Sequence, residues 1–589
     1  MPLTWGDIKK WSPTTLDTAE TNLKKDRRSM LDLADELETM GVPKQWHGDA
    51  AQTSRTKLKN VATDLKDIVA EVSTAYTAVC DAADAVRGVE LAVDAAAEYA
   101  KLHSLNIEPD GEVTDVGDPI DTGNDHDDEI AKAERDGWVI ECVDRIEQAL
   151  RKANDVDTDL TAVLAKIELN RIHAGPGGLA AASKLGEVKG DLGLLEPPVG
   201  ASISDSTAWW ASLSPDERVE VIAIHPMWIG NRDGIDFTSR DLANRNILDD
   251  RSDYVNKRLK DPNLTDDERE VFEEQQKSIK LLRERMDKEG VHQLAGLDFS
   301  NGRTQAILSN GNMDTADQVA VFTPGMTSNV PGMGGYDSNM LDLKKRMEDI
   351  LFAEGDTRPD GTPKEVATVT WMGYQAPGNP LDGDFSVASS SAAKEGGEDL
   401  ANFYRGINSS RMTDPDLTAL AHSYGSSTAG YALQHENTGV DRTVLFGSPG
   451  AATDNLDDFH TPRGSTYYAE TSNDVVGDLG RFGPDPSGLD GMKHLETSDA
   501  EDAEGRPLER NRGHGEYLDD GTTSQYSIAE IAAGHEDKSI ADDGQGPVRS
   551  LLDDVSDDYE AGKDELEQTL KEEYEEKKGW IKKGWDALT

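Results

Sequence analysis

Leu417-Thr418-Ala419-Leu420-Ala421-His422-Ser423-Tyr424-Gly425-Ser426-Ser427 is the stretch on which the reading of this chain turns. An apolar run ends at a serine, a glycine follows two residues later, and small residues then open a helix. Strand, sharp turn and helix in that order form an elbow that lifts a serine hydroxyl clear of a sheet. A hydroxyl is a poor nucleophile until a base takes its proton and nearby donors hold the oxyanion it creates. The elbow pattern is Gly-x-Ser-x-Gly; here Ala421 takes the first glycine's place and keeps that position small.

Working outward, apolar runs of strand length lie at Gln293–Phe299, Thr304–Leu308, Gln318–Phe322, Val366–Trp371, Thr443–Phe446 and Thr466–Ala469. Stretches long enough for crossover helices separate several of them, as at Ser338–Ala353 and Ala392–Asn408. The alternation predicts an α/β fold, a mostly parallel sheet flanked by helices.

An activated serine needs a carboxylate and an imidazole. Past the last of these runs, in Tyr467-Tyr468-Ala469-Glu470-Thr471-Ser472-Asn473-Asp474, Asp474 follows a strand end, where an orienting acid belongs; Glu470, at the strand's edge, competes with it. Three histidines follow. His514, in Arg512-Gly513-His514-Gly515-Glu516-Tyr517, has the glycine-flanked loop that presents an imidazole to a cleft. His494, its rival as the base, and His535 sit among polar and charged residues and read as surface side chains. His422 reads as structural, facing the other way around the elbow. The oxyanion needs two backbone N–H groups: one from Tyr424, the other from Gly325 or Met326 in the loop that follows Phe322.

These residues bring a resemblance with them. From about Trp209 to Gly534, a little over half the chain, the sequence resembles the actinobacterial-type α/β hydrolases of uncharacterised substrate, large proteins with a helical N-terminal part. The likeness rests on Trp209-Trp210, Leu213-Ser214, His225-Pro226, Ile229-Gly230, Asp233-Gly234, Arg240 and Ala243-Asn244-Arg245. It continues through Thr323-Pro324-Gly325, Gly373-Tyr374-Gln375-Ala376-Pro377, His422-Ser423-Tyr424-Gly425-Ser426 and Phe446-Gly447-Ser448-Pro449-Gly450. The resemblance implies a serine-hydrolase fold with Ser423, Asp474 and His514 as its triad, and it implies no particular substrate. The expected activity is esterase- or lipase-like, on an ester, thioester or amide with a small-molecule or lipid-like acyl group, with no cofactor and no metal. The alternative is a non-catalytic adaptor, or a secretion-associated effector, that binds a protein partner through its helical region.

That helical region carries two apolar stripes: Leu16, Ala19, Leu23, Met30, Leu33, Leu37 and Met40, then Leu58, Val61, Leu65, Ile68, Val72 and Val79. Between them lies the breaker-rich Gly41-Val42-Pro43-Lys44-Gln45-Trp46-His47-Gly48. Two helices joined through Trp-x-Gly resemble the small helical hairpins handled by type VII secretion, although no Tyr-x-x-x-Asp/Glu signal follows them. The expected organisation is a helical domain over 1–175 with a flexible acidic loop at 106–127, and a linker over 176–206. The α/β region then spans 207–545 with a charged helical insertion at 247–290, a cap or outer helix pair, and an acidic helix or tail occupies 546–589.

A formal charge of −54 over 589 residues argues against nucleic-acid binding and against adsorption to anionic membranes. No stretch has the apolar length of a membrane span. The N-terminus lacks the basic-then-apolar order of a signal peptide, so a cytoplasmic protein, or one exported without a cleaved leader, is expected. Cys80 and Cys142 form no disulfide framework, His126-Asp127-Asp128 lacks zinc spacing, and Gly332-Met333-Gly334-Gly335 lacks the Lys-Ser/Thr of a phosphate loop.

Overall fold

Small residues, more than large ones, decide how the first part of the chain packs. The computed structural model describes residues 3–39, 44–169, 171–300, 302–378, 390–471, 474 and 486–542, without the side chains of 34–39. The expected acidic tail at 546–589 and the turn residues 40–43 lie outside them. The chain divides into two units, Met1–Pro119 with Arg135–Trp228, and Ile120–Glu134 with Ile229–Thr589.

The first unit contains helices α1 (Trp5–Ile8), α2 (Thr14–Thr39), α3 (Asp49–Leu102), most of α4 (Asp125–Glu168), α5 (Leu179–Gly190), α6 (Ile203–Ala211) and α7 (Pro215–Ile224). A short antiparallel pair, β1 (Leu105–Ile107) and β2 (Val113–Asp115), lies within the stretch expected to be a flexible loop. The apolar stripe on α3 differs from the expected one: Val61 and Ile68 are exposed, while Leu65, Val69, Ala70, Ser73, Ala78 and Ala82 are buried. The reason lies in α5, within the stretch 176–206 expected as a linker. A Cβ on Gly186 would strike the Ala70 carbonyl oxygen and Ser73, and one on Gly190 would strike the Thr74 carbonyl oxygen. Glycine and alanine faces let the two backbones approach closely, and that contact selects the buried side of α3.

The second unit is built on an eight-stranded sheet, formed by β3 (His292–Asp298), β4 (Gln305–Asn310), β5 (Gln318–Thr323), β6 (Val366–Met372), β7 (Asp416–His422), β8 (Arg442–Phe446), β9 (Thr466–Ala469) and β10 (Lys493–Leu495). Their order across the sheet is β10-β9-β8-β7-β5-β6-β4-β3. The strands from β10 to β6 run parallel, whereas β4 is antiparallel to both β6 and β3. This is the mostly parallel sheet flanked by helices that the alternation of apolar runs predicts, and the α/β-hydrolase type of architecture that the resemblance implies. A small hairpin, β11 (Ala500–Glu501) and β12 (Pro507–Leu508), lies apart from the sheet.

Helices cover both faces. Along β5, Val319 and Val321 join a core that includes Leu400 and Tyr404 of α11 (Ser391–Ser409) and Ala429 of α12 (Tyr424–Leu433). Ala320 and Phe322 turn the other way, to Met340 and Met347 of α10 (Gly334–Glu354) and Ile528 of α13 (Thr523–Ala532). The period of two along a strand buried on both sides explains its uninterrupted apolar sequence. The charged insertion folds as the pair α8 (Phe237–Arg258) and α9 (Asp266–Met286), an outer pair rather than a cap. It buries Leu248, Val255, Phe272, Ile279 and Leu282 with Leu294 and Leu308 of β3 and β4.

The position of β5 fixes where a site can form. Chain order takes β5 to β6 on one side and then to β7 on the other, so the strand order reverses at β5. In an open parallel sheet, a crevice opens at such a reversal, outside the carboxyl ends of the strands. Parallel register pairs Thr323 with Ala421, so the loop after β5 leaves the sheet beside His422 and Ser423.

Candidate active site

Ser423 sits between β7 and α12 with φ 54° and ψ −131°. A non-glycine residue there carries about 1–3 kcal/mol of backbone strain, held only because its surroundings over-determine it. The surroundings are visible. Leu417–Ala421 are fully buried, the Ser423 N–H donates to the Phe446 carbonyl (3.1 Å), and Ser426 N–H donates back to the Ser423 carbonyl (2.9 Å). A Cβ on Gly425 would strike the Thr323 carbonyl oxygen, so only glycine lets α12 start so close to β5. Tyr424 is the first residue of α12, at the positive end of the helix dipole. Its buried phenol oxygen accepts the Ala393 N–H (3.1 Å), anchoring the helix start to α11.

The loop after β5 lies directly over the serine. A Cβ on Gly325 would be 2.6 Å from Ser423 Cβ and 3.0 Å from its Oγ. Tyr374 donates its hydroxyl to the Pro324 carbonyl (3.0 Å), and Thr327, at φ 64°, donates its N–H to the Pro377 carbonyl (2.7 Å). Met326, next to Gly325, is half-buried against the core that contains α11 and α12. The segment around Gly325 and Met326 is therefore held at both ends.

Asp474 and His514 meet. The His514 Nδ1 lies 2.8 Å from both carboxylate oxygens of Asp474, whose side chain is buried, while about a third of the imidazole remains exposed. Gly447 connects this pair to the elbow. The residue before it, Phe446, accepts from Ser423, and a Cβ on Gly447 would lie 2.7 Å from Asp474 Oδ2 and 3.2 Å from His514 Cε1. Its φ of 54° also suits glycine.

The competing candidates lie elsewhere. Glu470 accepts the Tyr468 hydroxyl (2.8 Å). His494 is in the β10 strand, 6.0 Å ring to ring from Tyr468, and His535 Nε2 is 3.3 Å from Asp356. Among the described residues, no group of three or more His, Cys, Asp or Glu side chains is placed to hold a metal ion.

Three residues of the site had no signal, or a different one, in the sequence. His422 faces the histidine loop instead of turning away from it: its Nε2 is 2.6 Å from the His514 carbonyl, and its ring is 4.6 Å from the His514 ring. Burial, with the neighbouring His514 adding to it, pushes the His422 pKa down to about 4, so the ring is neutral and Nε2 donates. Tyr517, buried, donates its hydroxyl to Asp474 Oδ2 (2.7 Å) and accepts the Thr471 N–H (3.0 Å). Thr471 in turn donates its hydroxyl to the Gly513 carbonyl (3.1 Å).

Comparison with known sequences agrees with this architecture. A family pattern described as alpha/beta hydrolase matches residues 300–484, from the end of β3 past the elbow to the segment after Asp474. An uncharacterized protein of Mycobacterium tuberculosis is 27% identical over 394 residues, covering 59% of this chain and 58% of the relative. The chain thus spans less than two thirds of that relative's length. An uncharacterized protein of Mycobacterium bovis is 30% identical over 199 residues, 33% of this chain and 71% of the relative.

Proposed function

The chain belongs to the alpha/beta hydrolase family, and from that membership and the geometry around Ser423 we propose that it is a serine hydrolase acting on an ester, thioester or amide. Ser423 Oγ attacks the acyl carbonyl while the His514 imidazole takes its proton. Asp474 holds Nδ1–H, fixing the tautomer and balancing the imidazolium that forms. The backbone N–H of Tyr424 and that of Gly325 or Met326 hold the oxyanion. The tetrahedral adduct collapses as His514 returns the proton to the leaving group, and water then releases the acyl chain by the same steps in reverse order. An esterase- or lipase-like preference, for a small-molecule or lipid-like acyl group, belongs to this reading.

The observation that carries it is the 2.8 Å pair of His514 and Asp474, packed on the glycine that follows the acceptor of the Ser423 N–H. The support is convergence: Asp474 and His514, 40 residues apart in sequence, pair beside Gly447, and the residue before that glycine accepts the Ser423 N–H. The test is turnover of p-nitrophenyl acyl esters of graded chain length. Wild type is expected to turn over at least one of them, and Ser423→Ala, Asp474→Asn and His514→Gln each to lose activity by about 10⁴-fold or more. Equal turnover by wild type and Ser423→Ala would discard the proposal.

A second reading, an adaptor that binds a protein through its helical hairpin, draws on Leu33 of α2, Trp46 of the Trp-x-Gly segment and Val61 and Ile68 of α3, each of them exposed. Such exposed apolar side chains mark an interaction site where they form one contiguous patch. Reversible self-association or partner capture that is lost in Trp46→Ser, with ester turnover unchanged, would support it.

A further inference from the structure

We propose that Tyr517 is a positioning residue that sets the basicity of the His514 imidazole through Asp474 and locks the acid and histidine loops together. The proposal rests on the serine-hydrolase reading for its consequence in catalysis, and on geometry alone for its effect on the imidazole.

Asp474 presents Oδ2 to two donors, the Tyr517 hydroxyl at 2.7 Å and the His514 Nδ1–H at 2.8 Å. The phenol also accepts the Thr471 N–H, which orients its proton toward Asp474. Burial first, then the Asp474 charge, pushes the Tyr517 pKa well above the usual phenol range, so the group donates throughout the working pH range. A donor on a carboxylate draws charge away from the other partner of that carboxylate. Tyr517 therefore tempers the hold of Asp474 on the imidazolium and keeps His514 from becoming too strong a base to return its proton.

The same phenol closes a ring of contacts. Tyr517 lies three residues after His514, so it joins the histidine loop to Thr471 and Asp474, while Thr471 Oγ1 returns to the Gly513 carbonyl. The Tyr517 carbonyl accepts the Ser524 hydroxyl of α13 (2.6 Å), which ties this ring to the helix layer. Among the described residues, His422 and Tyr517 are titratable groups that face Asp474 and His514 across this ring. His422 is neutral at any pH well above 4, and Tyr517 stays protonated.

The experiment uses the full chain labelled with 13Cε1-histidine, the His514 signal being assigned from its loss in His514→Gln. In Tyr517→Phe the midpoint of the His514 ring titration is expected to move up by about half a pH unit to one unit. Replacing Tyr517 by 3-fluorotyrosine keeps the shape, strengthens the donor and is expected to move the midpoint down; this variant decides the matter if Tyr517→Phe fails to fold. A midpoint unchanged in a folded variant, or displaced in the opposite direction, overturns the proposal, because a residue that only fills space would not move it with that sign. Fluorophosphonate labelling of Ser423 is followed on the same samples. A displaced midpoint without labelling of wild type strikes the hydrolase reading and leaves the coupling standing; labelling with an unchanged midpoint does the reverse.

Discussion

Replacing Gly325 with alanine tests the site by one methyl group. That carbon would lie 2.6 Å from Ser423 Cβ, 3.0 Å from its Oγ and 3.2 Å from the His422 carbonyl oxygen. Carbon pairs settle at about 3.5–4.0 Å, so the loop or the serine has to retreat by about 1 Å. Strands β5 and β7 are paired in register up to Thr323 and Ala421 and are buried, so they do not yield; the displacement falls on Pro324–Met326. Gly325 is not in the left-handed region, which means that alanine meets a steric conflict and not a backbone one. A misplacement of about 1 Å costs about 10²-fold in rate, and an oxyanion donor moved out of range costs about 10²–10³. We expect kcat for a p-nitrophenyl ester to fall by about 10²-fold or more, with the overpacking costing about 1–3 kcal/mol of stability, seen as a modest fall in Tm. A variant within threefold of wild-type kcat and with an unchanged Tm would refute the reasoning, since the loop would then have room that the geometry denies it.

Asp441 gives a pH-dependent prediction. Burial, opposed by the hydrogen bond from the Leu417 N–H and reinforced by the Asp416 charge, pushes its pKa up to about 7. The unfolded chain releases this proton near pH 4 and the folded protein near pH 7, so the group's contribution to stability declines between those values and levels off above them. Asp441→Asn keeps an acceptor for Leu417 and removes the charge. It is expected to raise stability at pH 8 by up to about 4 kcal/mol, with almost no gain at pH 4; equal gains at both pH values in thermal melts would contradict the assignment. The net charge of −54 gives another: raising NaCl from 0.1 to 1 M shortens the screening length from about 10 to about 3 Å and weakens self-repulsion, so Tm is expected to rise. A Tm that falls steadily over that range would show that ion pairs outweigh the repulsion.

Local patterns made much of this protein legible. The elbow showed because Leu417–Ala421 is an unbroken buried run, and a strand covered on both faces has no polar side to interrupt it. The helices at Ser338–Ala353 and Ala392–Asn408 appear as α10 and α11, extended by a few residues. What stayed hidden depends on contacts between distant residues. Nothing in the sequence places β5 between β6 and β7, although that pairing creates the crevice. Tyr517 shows no period and no motif, and its role appears only when it meets Asp474, 43 residues away. Gly186 and Gly190 lie in the stretch expected as a linker, whereas they are part of the face of a helix that packs on α3. That close approach is also why α3 presents Ala70, Ser73 and Thr74 to α5.

The central claim is that Ser423 is the activated nucleophile, and covalent labelling tests it most directly. Wild-type protein treated with a fluorophosphonate and mapped by peptide mass spectrometry is expected to carry one adduct, on Ser423, formed far more slowly in His514→Gln and abolished in Ser423→Ala. An adduct that persists in Ser423→Ala, or a wild type that does not react with the probe while remaining folded, would contradict the account.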